Sequence, residues 1–121
     1  MNPVMKDYFR LKLLRWREEL LAETTETLES LQRDALSAAD LADRATMEAE
    51  RALELRTRDR ERKLVQKIDE ALKRIATDSF GYCEMTGEPI SLKRLEARPI
   101  ATLSIEAQEM HERMEKTFRD D

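Results

Sequence analysis

Two glycines and three prolines among 121 residues leave long stretches in which nothing interrupts a helix. Aromatic residues make up only 5% of the chain, too few for a large catalytic pocket, and with Cys83 the sole cysteine no disulfide can form within the chain. No run of about 18 apolar residues is present. The N-terminus also lacks the basic, apolar and small-residue order of a secretory signal. A cytoplasmic protein without a membrane segment is therefore expected. Basic excess is missing too. Lys and Arg number 22 against 26 Asp and Glu, a formal net charge of −4, which argues against direct DNA binding through neutralised phosphates. Nor is there a nucleophile with its base: the one histidine, His111, sits amid Glu109, Glu112 and Glu115, and no glycine-rich loop offers to cradle a phosphate. The chain is not expected to be an enzyme.

What the chain has in abundance is charge, at 40% of residues, a composition typical of long solvent-exposed helices. From Met5 to about Ala35, Phe9, Leu13, Trp16 and Leu20 recur at steps of four, three and four, and Leu28 and Leu31 resume the stripe. Small and capping residues gather at Ser37, Ala38, Ala39 and Asp40, where a turn is expected. A second helix, from about Thr46 to Ala76, carries Leu53, Leu64, Ile68, Leu72 and Ile75. Two stretches of this length, each roughly 45 Å at about 1.5 Å per residue, fold back most simply as an antiparallel coiled-coil hairpin with an exposed tip at about 36–46.

Beyond Thr77 the chain changes character. Both glycines and Pro89 fall between Phe80 and Ile90, which predicts a compact, turn-rich, α/β-like knob. Leu92, Leu95 and Ile100 could supply it with an apolar patch, and Ser104 opens a last amphipathic helix running to about Phe118. The division expected is 1–77 for the hairpin and 78–121 for the knob, with the knob packed on Phe9 or Trp16. The fold class is mainly α. Within the second helix the run from Arg56 to Lys63 alternates in sign. It reads either as a solvated face or as a basic strip holding an acidic partner or a phosphate.

Three segments carry a resemblance to a known family: Asp40-Leu-Ala-Asp-Arg-Ala-Thr46 at the turn, Leu53-Glu-Leu-Arg-Thr-Arg-Asp-Arg-Glu-Arg-Lys-Leu64 on the second helix, and Phe80-Gly-Tyr-Cys83 with Arg94-Leu-Glu-Ala-Arg-Pro99 beyond it. From about Leu36 onwards the chain resembles the DksA/TraR family of bacterial transcription regulators, without gaps in spacing. The resemblance implies a factor that inserts its hairpin into the secondary channel of RNA polymerase and modulates initiation without binding DNA. It further implies action at ribosomal RNA and amino-acid promoters in the stringent response, together with ppGpp, and a monomeric state.

By the same resemblance the tip residues are Asp40, Asp43 and Ala45, although an aspartate before a helix also serves as a cap. Arg56 and Arg60 become the polymerase-contacting strip. Leu64, Lys67 and Arg98 match the ppGpp-binding residues, and Gln108 replaces a lysine of the family pattern, removing one charge from that set. The family's zinc ligands, two Cys-x-x-Cys pairs, fall here on Cys83, Thr86, Ser104 and Ala107. One thiolate, two hydroxyls and a methyl do not make a zinc site, so a zinc-free, degenerate finger is expected, with no metal elsewhere. Two rival functions fit part of the pattern: a Gre-like transcript cleavage factor, and a coiled-coil scaffold.

Overall fold

The structure is a computed structural model that describes residues 1–37 and 41–120, leaving aside the side chains of residues 31, 34–37, 41–43, 119 and 120. Among the described residues it holds α1 (Pro3–Ser37), α2 (Leu41–Ala76), α3 (Leu92–Ala97) and α4 (Ile105–Asp120). None of these helices is long and apolar enough to cross a membrane.

Each helix end follows from local chemistry. The Oδ1 of Asn2 accepts the Met5 N–H at 2.8 Å, and Pro3, preset for helical φ and lacking an N–H that would go unused, occupies the first turn. Helix α2 begins at Leu41, five residues before the expected start at Thr46. Leu41-Ala-Asp-Arg-Ala45 contains strong helix formers and no breaker, so the helix extends back through it. At its other end α2 closes in a Schellman arrangement: Ser79 N–H donates to the Arg74 carbonyl at 2.9 Å and Asp78 N–H to Ile75 at 3.4 Å. Asp78 takes the left-handed conformation there (φ 61°), a position usually given to glycine.

The chain forms two compact units. The first joins Met1–Leu13 to Glu70–Asp121. The expected boundary at 77/78 follows the change in chain character, whereas packing gathers the outer ends of both long helices with the knob. Phe9, Leu13, Ala71, Ile75, Phe80, Cys83, Ile90, Leu95, Ile100, Ala101 and Ala107 make its core, and the rings of Phe9 and Phe80 lie 5.5 Å apart. Of the two aromatic residues expected to receive the knob, Phe9 does so. Leu92, by contrast, is 47% exposed. It is the first residue of α3, whose inward position is taken by Leu95, three residues on. No strand forms among the described residues. The α/β-like knob reduces to one isolated bridge, Tyr82 with Pro89, because the segment between them is consumed by turns.

The second unit, Leu14–Asp69, is a pair of helical segments. Arg17 Nε donates to Asp69 Oδ1 at 2.8 Å, and seven residues further along α1 Thr24 Oγ1 lies 2.9 Å from Glu61 Oε2, eight residues back along α2. The two segments therefore run antiparallel. Leu20 and Ile68 are buried, and Trp16, Leu28, Leu64 and Val65 are half-buried. Leu53 is an exception to the expected stripe: it is 60% exposed, because Glu54 occupies the inward position beside it.

Candidate functional site

Three sets of residues deserve the name of candidate sites, and the structure treats each differently. Of the tip, Asp40 lies outside the described residues, and so does the side chain of Asp43. The backbone of Asp43 is helical, within the first turn of α2. Asp43 thus follows the helix start instead of preceding it, where a capping residue would stand. Ala45, expected in the loop, is an exposed residue of the same helix.

Along α2, Arg56, Arg60, Lys63 and Lys67 are all exposed and recur at steps of four, three and four, which puts four cations on one helix face. An ion pair joins Arg62 to Asp59 at 3.0 Å, away from that face. The strip is thus a coherent basic surface, suited to carboxylates or phosphates. Leu64 is half-buried on the same helix. Arg98 is exposed in the other compact unit, at the C-cap of α3, where its backbone N–H bonds the Arg94 carbonyl at 2.8 Å. Gln108, half-buried on α4, directs its side-chain amide to Glu112 at 3.1 Å.

The third set is the knuckle around Cys83, and here the four matching positions do come together. The chain turns back through Gly87, whose N–H donates to the Cys83 carbonyl at 2.8 Å with φ at 74°, and Cys83 N–H reaches the Glu88 carbonyl at 2.8 Å. Glu84 N–H donates to Thr102 at 2.9 Å, tying this turn to the start of α4. The Thr86 hydroxyl hydrogen-bonds the Cys83 thiol, while the Ser104, Thr86 and Met85 backbones donate to it. The Oγ of Ser104 caps α4 by accepting the Ala107 N–H at 3.2 Å, as its sequence position suggested. These donors, the Thr86 hydroxyl first, pull the thiol down to about 6 against the opposing effect of burial.

That arrangement does not fit zinc. Ala107 has no donor atom, and both hydroxyls are occupied: Thr86 Oγ1 accepts the Glu88 N–H at 3.3 Å and Ser104 Oγ is the helix cap. His111, a turn beyond Ala107, pairs with Glu115 at 3.0 Å. No group of three potential metal-binding side chains occurs among the described residues. The turn is held here by the backbone hydrogen bonds of Cys83, Glu84 and Gly87.

Two features were not foreseen from the sequence. Glu96 on α3 accepts from Lys12 at 2.8 Å and from the Tyr8 hydroxyl, and Lys12 also donates to the Glu96 carbonyl at 2.7 Å. Lys12, and then Tyr8, hold the Glu96 carboxyl below the ordinary carboxylate range, and Glu96 in turn raises both partners. No local pattern joins residues 84 positions apart. The other feature is the charged inward face of α2, which a count of heptad positions irrespective of polarity would have shown.

Comparison with known proteins identifies the family of the chain. Residues 5–75 match the N-terminal domain of the DnaK suppressor protein DksA, and residues 78–113 match the prokaryotic DksA/TraR C4-type zinc finger. The chain is 61% identical over 121 residues to the RNA polymerase-binding transcription factor DksA of Caulobacter vibrioides, covering all of this chain and 85% of that protein. To the protein of the same name from Escherichia coli K12 it is 45% identical over 116 residues, covering 96% and 77%. The solved structure of transcription factor DksA2 from Pseudomonas aeruginosa superposes with a TM-score of 0.89 at 47% identity, covering 96% of this chain and 89% of that one. With the two family models matching residues 5–75 and 78–113, the chain belongs to the DksA/TraR family.

Proposed function

We propose that this chain is a transcription factor that binds RNA polymerase and regulates initiation from the enzyme's secondary channel, reaching the region of the active site with its Asp40–Asp43 tip. The observation that carries this reading is the similarity over nearly the whole chain to proteins named for polymerase binding. The fold is consistent with it: an antiparallel helical pair bears an exposed basic strip suited to an acidic partner. Arg56 and Arg60 supply the cations for acidic groups of the polymerase. The net charge of −4 favours a protein partner over DNA.

The effector in this reading is ppGpp, held by Leu64, Lys67 and Arg98, and the setting is the stringent response at ribosomal RNA and amino-acid promoters. Guanidinium and ammonium groups donate to phosphate oxygens. Gln108, engaged with Glu112 and lacking the family's lysine charge, gives a weaker ppGpp response than a lysine would. The factor acts as a cytoplasmic monomer, without zinc, since the residues around Cys83 do not form a tetrahedral donor set. It catalyses nothing itself.

The test is in vitro transcription from a ribosomal RNA promoter with and without ppGpp, comparing the wild type with Asp43→Asn. Inhibition that ppGpp strengthens and Asp43→Asn abolishes, with polymerase binding intact, is the expected result. A wild type that fails to bind polymerase overturns the reading.

A further inference from the structure

Within the unit Leu14–Asp69 the inward positions of α2 are Met47, Arg51, Glu54, Arg58, Glu61, Val65 and Ile68, together with Leu64 beside Val65. They recur at alternating steps of four and three, a coiled-coil seam. From Arg51 to Glu61 every one of these positions is charged, and the apolar residues of that stretch, Leu53 and Leu55, face outward at 60% and 43% exposure. The α1 side chains that face residues 55–61 are no more apolar: of the inward-facing positions between 24 and 30, Thr24, Thr27 and Ser30 are polar and only Leu28 is not. Towards the other end of the unit the seam is of ordinary kind, with Leu20 at 7% and Ile68 at 0% exposure and Trp16 and Val65 half-buried.

A polar seam holds helices together weakly. The one hydroxyl proton of Thr24 is shared between the Leu20 carbonyl at 3.0 Å and Glu61 Oε2 at 2.9 Å. Glu54 Oε2 is buried without a hydrogen-bond partner among the described residues, a cost with no offsetting gain. Charged groups taken out of water recover in pairing roughly what they lose in hydration, whereas each apolar seam residue adds stability in proportion to the area it buries. Local opening follows the lowest density of buried apolar contacts.

We infer that residues 24–30 of α1 and 51–61 of α2 separate and re-close as a unit of their own, about the fixed point of the Leu20 and Ile68 seam. The polar seam is a built-in compliance: the segments yield laterally to a binding surface while the apolar seam keeps its register. The inference stands on the seam alone and does not depend on what the partner is.

Hydrogen exchange followed by mass spectrometry on the full chain tests it. Amides of 51–61 exchange at least about tenfold faster than those of 64–69 in the wild type. The double variant Glu54→Leu/Glu61→Leu, which makes the seam apolar, slows exchange at 51–61 by about tenfold and leaves 64–69 within about twofold. The single variant Glu54→Leu gives a smaller change in the same direction and serves if the double variant does not fold. Equal protection of the two wild-type segments, or variants that fold and leave exchange at 51–61 unchanged, overturns the inference.

Discussion

Among the described residues, the unit built from Met1–Leu13 and Glu70–Asp121 buries eleven apolar side chains, and the helical pair Leu14–Asp69 buries two, Leu20 and Ile68. Both units draw on the same two long helices. The difference lies in what meets them. Where α3, the knuckle and the start of α4 cover a helix end, its inward residues are Phe9, Leu13, Ala71 and Ile75. Where one helix meets only another, charged and hydroxylated residues take over half of the seam. A helix sequence need only be as apolar as its surroundings can cover, and the stability of this protein is accordingly concentrated in its smaller elements.

The sharpest way to break that comparison is to make the same truncation in both units. Leu95→Ala, at a site with 0% exposure, costs about 3 kcal/mol in urea denaturation. Leu53→Ala, 60% exposed on α2, costs under about 0.5 kcal/mol. Equal losses would mean that Leu53 is packed as closely as Leu95.

A second experiment concerns how the knuckle is clamped. The Cys83 thiol titrates at about 6 in the folded chain, below its value in an unfolded one, so the thiolate stabilises the fold at alkaline pH. That contribution is largest above the ordinary thiol range and is lost as pH falls through about 6. The stability difference between wild type and Cys83→Ser should therefore grow between pH 6 and pH 9 and be small at pH 5, read from denaturation midpoints at each pH. A difference independent of pH would assign Cys83 to packing alone.

The smallest expected effect is that of a chelator. Excess EDTA shifts the thermal midpoint by less than the error of the scan, because the donor set offers one thiolate. A midpoint that falls with EDTA and returns with zinc would restore a metal to the knuckle.

Much of this was legible in the residues. The absence of breakers from Met5 to Ala35 and from Thr46 to Ala76 marked both long helices, and the spacing of Phe9, Leu13, Trp16 and Leu20 marked the inward face of α1. The Ser104 cap followed from local capping chemistry, whereas Cys83, Thr86, Ser104 and Ala107 were singled out as a set only by the family resemblance. Two of the failures come from equating apolar with inward. Reading the stripe of α2 from apolar residues alone selected Leu53 and passed over Glu54, Arg58 and Glu61, because a search for hydrophobic periodicity cannot see a polar seam. Leu92 was placed in the core for the same reason, being apolar but first in its helix. The Lys12–Glu96 contact escaped because it depends on the packing of α1 against α3.

Gly81 and Gly87 keep positive φ values of 88° and 74°, and a Cβ at Gly81 would stand 3.0 Å from the end of the Met1 side chain. The backbone of the knuckle is thus shaped by its glycines and turn hydrogen bonds, independently of which atoms fill its centre. Three replacements, at Thr86, Ser104 and Ala107, separate this chain from a set of four thiols on the same frame. The turn that would present four thiols in such a set is kept here by backbone geometry, with a single thiol at its centre.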